Sequence, residues 1–183
     1  MTEDGALIRA AQAGDAAAFE ELLERQYDTI YRFAFKWCGS RADAQDITQQ
    51  ACMKLARSLG QFRFESAFTS WLYTLVVNCA RDWVRSQQRH AQGESREPED
   101  ADIAATQGPN TVEQQTFHWQ LLQQLEALPD GMKETLLLVH GEGLSHAETA
   151  AVLGVKESTV SWRLHEFRKR YRLELEAGGI RDG

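Results

Sequence analysis

Three prolines, Pro98, Pro109 and Pro129, are all that this chain contains, so the long stretches on either side of them can run as helix without an internal break. The apolar pattern in those stretches has the helical period. Leu22, Leu23, Tyr27, Ile30, Tyr31, Ala34 and Phe35 recur at steps of three and four, which predicts a helix with one buried face that ends at Gly39 and Ser40. The run Ser40 to Asp43 opens a second helix as a capping-box variant with Asp in place of Glu or Gln. That helix is expected to bury Ile47, Ala51, Leu55 and Leu59 and to expose Asp43, Asp46, Gln50 and Lys54. A third helix turns Trp71, Leu72, Leu75, Val76, Cys79 and Trp83 inward and Asn78, Arg81, Asp82, Arg85 and Arg89 outward. Almost nothing alternates with the period of a strand, so the expected class is all-α.

With 183 residues and 43% hydrophobic side chains the chain can build two small helical cores. Between them, Ala91 to Asn110 is rich in Gly, Glu, Asp and Gln, and beyond alanine its one aliphatic residue is Ile103, too little to order a segment by burial. The expected organisation is a first domain at 1–90, a flexible acidic linker at 91–116, a second domain at 117–175 and a tail at 176–183. Charge follows the same division. The formal net charge is −7, yet 1–90 balances 11 basic against 11 acidic groups and 91–116 holds 1 against 6, while Lys156 to Arg172 holds 6 against 2. A basic C-terminal helix can meet nucleic acid although the whole chain is acidic, because the local balance governs the contact.

The second domain begins near Phe117, runs through Leu121, Leu122, Leu125 and Leu128 to Pro129, and resumes from Met132 to Val139 before Gly141 and Gly143. Ser145 and Glu148 make a capping box for a short helix, His146 to Leu153. After Gly154 a last helix turns Val160, Leu164, Phe167 and Tyr171 toward the core. Two helices joined by a short glycine turn, the second of them basic, have the sequence form of a helix-turn-helix.

Several function classes are excluded by pattern. Met1 to Ala10 lacks the basic start and long apolar run of a signal peptide, and no stretch approaches a membrane span, so a cytoplasmic protein is expected, with no membrane insertion. Cys38, Cys52 and Cys79 are an odd set without paired spacing, which indicates buried free thiols rather than disulfides or a zinc ribbon. The histidines lack the spacing that places two ligands on one helical face, and no glycine-rich phosphate loop appears, so no metal or cofactor is expected.

Four segments carry a resemblance: Asp43-Ala-Gln-Asp-Ile-Thr-Gln49, Phe62-Arg-Phe-Glu-Ser-Ala-Phe-Thr-Ser-Trp-Leu72, Val77-Asn-Cys-Ala-Arg-Asp82 and Gly143-Leu-Ser-His-Ala-Glu-Thr-Ala-Ala-Val-Leu-Gly154. In this order and spacing they resemble the extracytoplasmic-function sigma factors, the minimal promoter-selecting subunits of bacterial RNA polymerase, over nearly the whole length. The resemblance implies a non-enzymatic protein that binds core polymerase, melts the minus-ten element with its first domain and reads the minus-thirty-five element with its second. It places Asp43, Asp46, Gln49 and Gln50 on the clamp of the largest subunit, the second domain on the flap of the second-largest subunit, and the acidic linker in the product channel. The loop residues Phe62, Arg63, Phe64, Glu65 and Ser66 would capture an unstacked minus-ten base, with Asn78, Arg81 and Arg85 holding bases and phosphates. Phe68 is expected to cap the domain core instead. Ser158, Thr159, Ser161, Trp162 and His165 would meet the major groove, while Arg163, Arg168, Lys169 and Arg172 would hold phosphates. An anti-sigma partner that masks these surfaces fits the same resemblance. The chain departs from the family pattern at Gln50, where an acid is usual, at Cys52 and Ala56, which replace bulky aromatics, and at Phe64, where many members have Gly. It departs also at Ser161, often basic, and Trp162, usually small.

Two rival readings use the same residues. A stand-alone helix-turn-helix regulator with a dimerising first domain leaves the loop aromatics and the Asn78 helix without a role. An all-helical hydrolase or nuclease would pair Asp43 and Asp46 with His140 or His146, but a helix end and a post-cap first turn already account for those histidines.

Overall fold

The computed structural model of the protein describes residues 3–93 and 128–177, and every regular element among them is helical. Leu121, Leu122 and Leu125, the tail beyond 177 and all but the first three residues of the expected linker lie outside the described residues. The chain divides into two compact units, Met1–Gln124 and Leu125–Gly183.

The first unit contains α1 (Glu3–Gln12), α2 (Ala16–Cys38), α3 (Arg41–Ser58) and α4 (Phe68–Gly93), with a 3-10 turn at Leu59–Gln61. Helix α1 was not anticipated from the sequence. It is short, and the burial of Ile8 at 1% exposure rather than any repeating stripe fastens it. The Asp15 carboxylate then accepts hydrogen bonds from the Ala17 and Ala18 N–H groups, satisfying two donors that the start of α2 leaves open. At the other end of α2, Gly39 takes φ 73 and its N–H bonds to the Phe35 carbonyl, the left-handed stop that glycine adopts without penalty. One residue later the Ser40 hydroxyl accepts from the Asp43 N–H and starts α3.

The buried stripe of α2 is Ala18, Leu22, Gln26, Ile30, Phe33, Ala34 and Trp37. Tyr27, expected inside, is 45% exposed, because steps of four from Leu22 through Gln26 to Ile30 carry the stripe past it. Phe33 is wholly buried and meets the rings of Trp37 and Tyr73 at 6.0 and 5.4 Å. Helix α3 buries Ile47, Ala51 and Leu55 as its spacing predicts, together with Ala44 and Thr48. Helix α4 buries more than one face, adding Tyr73, Val77 and Ala80 to Leu72, Leu75, Val76 and Cys79. Trp71 and Trp83 are half-buried rather than inside. The helix also continues through Gly93, so the first residues assigned to the linker, 91–93, are helical.

In the second unit, α5 (Met132–Leu136) passes into a π-helical turn (Leu137–Gly141), followed by α6 (His146–Leu153) and α7 (Glu157–Ala177). The capping box is complete: the Ser145 hydroxyl accepts from the Glu148 N–H while the Glu148 carboxylate accepts from the Ser145 N–H. The Ser145 hydroxyl also donates to that carboxylate at 2.7 Å, and this bond, with the one from the Ser145 N–H, holds the Glu148 carboxyl below its ordinary range. Gly154, at φ 66, ends α6 and turns the chain into α7. Met132, Leu136, Ala150, Val160 and Leu164 form the core, with Leu128, Val139, Val155 and Phe167 packed around it. Side chains of this size stabilise the unit by about 1.5–3 kcal/mol each when fully buried, alanine less. That small cluster orients α7.

Candidate nucleic-acid interface

The solvent face of α3 carries Asp46, Gln49 and Gln50, all exposed, at helical spacing. Met53 continues the stripe at 48% exposure. Sequence reasoning passed over Met53, although its place three residues beyond Gln50 would have revealed it. Asp43 is half-buried in the capped first turn, and Lys54 is engaged with Asp82 of α4 at 2.9 Å. The face is thus a line of acid and amide groups ending in a flexible thioether, a surface able to adapt to a partner.

The loop between α3 and α4 is fixed from beneath by α1. The Gln12 side-chain amide donates to the carbonyls of Leu59 and Phe62, both at 2.8 Å, tying down a turn whose backbone acceptors would otherwise face water. Phe62 is corrected by the structure: expected as an exposed capture residue, it is 5% exposed. Its ring packs at 5.3 Å from Phe68 and 5.5 Å from Trp71, so it serves as the floor of the loop. Phe68, half-buried, occupies the core-capping place expected of it.

Phe64 lies above that floor, 39% exposed and 4.8 Å from the Phe62 ring. It is the one non-glycine residue with positive φ among the described residues, at 59°. The left-handed region costs an L-residue roughly 1–2 kcal/mol, and the conformation is the one a glycine at this place would adopt freely. The Arg9 guanidinium lies 4.7 Å over the ring and supports it there. Arg63, Glu65 and Ser66, its neighbours in the loop, are exposed. Beside the loop, a groove of about 330 Å³ runs between the end of α3 and α4, lined among others by Lys54, Arg57, Trp71 and Asn78. Asn78 and Arg85 are exposed, whereas Arg81, placed outward by the sequence pattern, is half-buried because α4 is buried on more than one face at this level. Arg9, Gln12 and Arg57 belong to this site and were missed, since each acts across elements that no local motif connects.

Burial raises the thiols of Cys52 and Cys79, keeping them protonated and poor nucleophiles. Hydrogen bonding to Asp82 raises Lys54 and keeps it charged. Among the described residues no group of three or more His, Cys, Asp or Glu is placed to hold a metal, and no helix is long and apolar enough to cross a membrane.

On α7, Ser158, Ser161, Trp162 and His165 share the outward face, with Trp162 at 59% exposure, and Arg168 and Lys169 are exposed farther along. Thr159 is half-buried. Arg163 is a second correction: it is half-buried, its guanidinium donates to the Thr135 hydroxyl at 3.3 Å, and it packs over Gly131, so it braces α7 against α5 rather than reaching outward. The Arg172 side chain lies outside the described residues. Because Trp162 has so little of its surface inside the domain, Trp162→Ser should leave the thermal stability of the second unit unchanged within about 0.5 kcal/mol. Competition among randomised duplex sites should meanwhile show a several-fold change in base preference. A destabilised domain with the original preference would make Trp162 a packing residue.

One helical unit presents an exposed aromatic loop and the other a capped helix-turn-helix, the motif class that places a helix in duplex DNA. Family profiles described as Sigma-70 region 2 and Sigma-70, region 4 match residues 22–90 and 118–170. The ECF RNA polymerase sigma-E factor of Haemophilus influenzae is 31% identical over 179 residues, with 93% of each chain covered. SigM of Mycobacterium tuberculosis is 30% identical over 91% of this chain and 82% of its own length. SigE of Mycolicibacterium smegmatis reaches 33% over 87% of this chain, which spans 63% of that longer protein. Among solved structures, CnrH in complex with the cytosolic domain of CnrY shares the fold with a TM-score of 0.71 at 23% identity, covering 95% of this chain and 97% of that one. RpoE of Bartonella quintana, in complex with the anti-sigma factor NepR, does so with a TM-score of 0.67 at 24% identity, covering 89% and 98%. The chain belongs to the sigma-70 family of RNA polymerase sigma factors, in its extracytoplasmic-function group.

Proposed function

We propose that this protein binds core RNA polymerase and directs initiation at a restricted promoter set, melting the minus-ten element with its first unit and reading the minus-thirty-five element with its second. The observation that carries this reading over that of a stand-alone regulator is the loop at 62–66. A duplex-binding repressor has no use for an aromatic ring held in a strained, solvent-facing conformation, whereas an unpaired base offers a face that stacks on it. Phe64 is the stacking residue, Arg63, Glu65 and Ser66 shape the pocket, and Asn78, Arg81 and Arg85 follow the strand along α4. The α7 face of Ser158, Ser161, Trp162 and His165 reads base edges, with Arg168 and Lys169 on phosphates.

Asp46, Gln49, Gln50 and Met53 meet the clamp of the largest subunit, with Asp43 at the edge of that contact, and the second unit meets the flap of the second-largest. The acidic stretch between the units occupies the product channel. An anti-sigma protein controls access to the same surfaces. The protein acts in the cytoplasm, makes and breaks no bonds itself and needs no cofactor.

Capture of purified core polymerase by the tagged protein tests the contact. Asp46→Lys should weaken capture by about tenfold with helicity unchanged, because a charge at an interface edge affects binding far more than folding. Equal affinity for the charge-reversed variant would remove α3 from the interface.

A further inference from the structure

We propose that His146 is a positioning residue that sets the hydrogen-bonding sense of Ser161 toward DNA, so that this helix-turn-helix selects a base pair presenting an amino group at one place in its site. The inference rests on the reading of α7 as the helix that enters the major groove.

The two residues lie on different helices, and His146 Nδ1 is 3.0 Å from Ser161 Oγ. Both ends of this bridge are held by rigid parts. His146 is the first residue of α6, held inside the complete capping box of Ser145 and Glu148, and Ser161 follows Val160, which is fully buried in the core that seats α7. Ser161 itself is exposed on the face shared with Ser158, Trp162 and His165. Its hydroxyl therefore has one partner inside the protein and its remaining capacity turned outward.

A serine hydroxyl has one proton to donate and two lone pairs. Unrestrained, it rotates and reads donors and acceptors alike, which is why serine contacts discriminate poorly between bases. In the tautomer that carries the proton on Nε2, a neutral imidazole leaves Nδ1 as an acceptor, and this is the form the proposal assigns to His146. Ser161 then donates its proton to Nδ1 and shows the groove lone pairs alone. An acceptor-only group matches the amino edge of adenine or cytosine and is repelled by the O6 and N7 of guanine or the O4 of thymine. A residue that usually reads loosely becomes selective because a neighbouring helix has taken its proton.

The test is competitive selection from randomised minus-thirty-five sites by holoenzyme assembled with the unmodified protein and with four variants. These are Ser161→Ala, His146→Phe, His146→Asn and the double variant Ser161→Ala with His146→Phe. Phenylalanine keeps the ring volume without a ring nitrogen, and asparagine restores a polar atom near the place of Nδ1. Ser161→Ala should erase an adenine or cytosine preference of about three- to tenfold at one position. His146→Phe should erase the same preference at that position and no other, His146→Asn should retain most of it, and the double variant should lose nothing further. All five proteins should melt at the same temperature.

The proposal is overturned if His146→Phe keeps the preference that Ser161→Ala removes, or if Ser161→Ala changes no position. A holoenzyme of the unmodified protein that initiates without any minus-thirty-five preference would instead overturn the assignment of α7 itself, a failure recognisable before any variant is made.

Discussion

Phe33→Ala is expected to lower the stability of the first unit by about 3–5 kcal/mol, the range for deleting a fully buried phenylalanine ring. The ring is completely enclosed and touches Trp37 one turn along α2 and Tyr73 across on α4, so its removal leaves a void between two helices whose other contacts hold them in place. The second unit has its own core of Met132, Leu136, Ala150, Val160 and Leu164 and should be unaffected. Calorimetry of the full chain should then show one transition moved to lower temperature and one unmoved. A single transition that shifts as a whole would mean that the units unfold together.

The second large effect is expected at Phe64. Phe64→Ala should reduce the melted promoter complex by about 1–3 kcal/mol, the usual contribution of one aromatic stacked on one base, while initial binding to closed duplex changes little. The substitution removes the ring that Arg9 and Phe62 support but leaves Phe62 as the floor of the loop and the Gln12 bonds in place, so the loop should keep its course. Permanganate reactivity of unpaired thymines would report the loss. Undiminished reactivity would make Phe64 a packing residue and remove the reason for its strained backbone.

Caps and local spacing made much of this molecule legible in the sequence. Ser40, Gly39, Ser145, Glu148 and Gly154 each act within four residues of themselves, and the elements they bound came out as expected. The outward row on α7 was legible for the same reason, since one helical period separates exposed from buried positions. What escaped notice depends on contacts between elements. Phe62 and Phe64 are two residues apart and look alike as sequence, yet one is a floor and the other is exposed, because the Trp71 ring of α4 packs on Phe62 while Gln12 of α1, fifty residues away, holds its carbonyl. Arg163 carries the same charge as Arg168 and differs only in facing Thr135 and Gly131 across the domain. Helix α1 had too short an apolar signature to stand out, though it holds the loop. The helical period places a residue on a face, but which neighbour covers that face is set by tertiary packing.

The central claim is tested most directly by transcription in vitro from fragments of the host genome with purified core polymerase, with and without this protein, followed by mapping of the RNA 5′ ends. The account predicts a restricted set of start sites that depends on the protein, with common sequences near minus ten and minus thirty-five. Core polymerase that gains no defined start from the protein anywhere in the genome would contradict it.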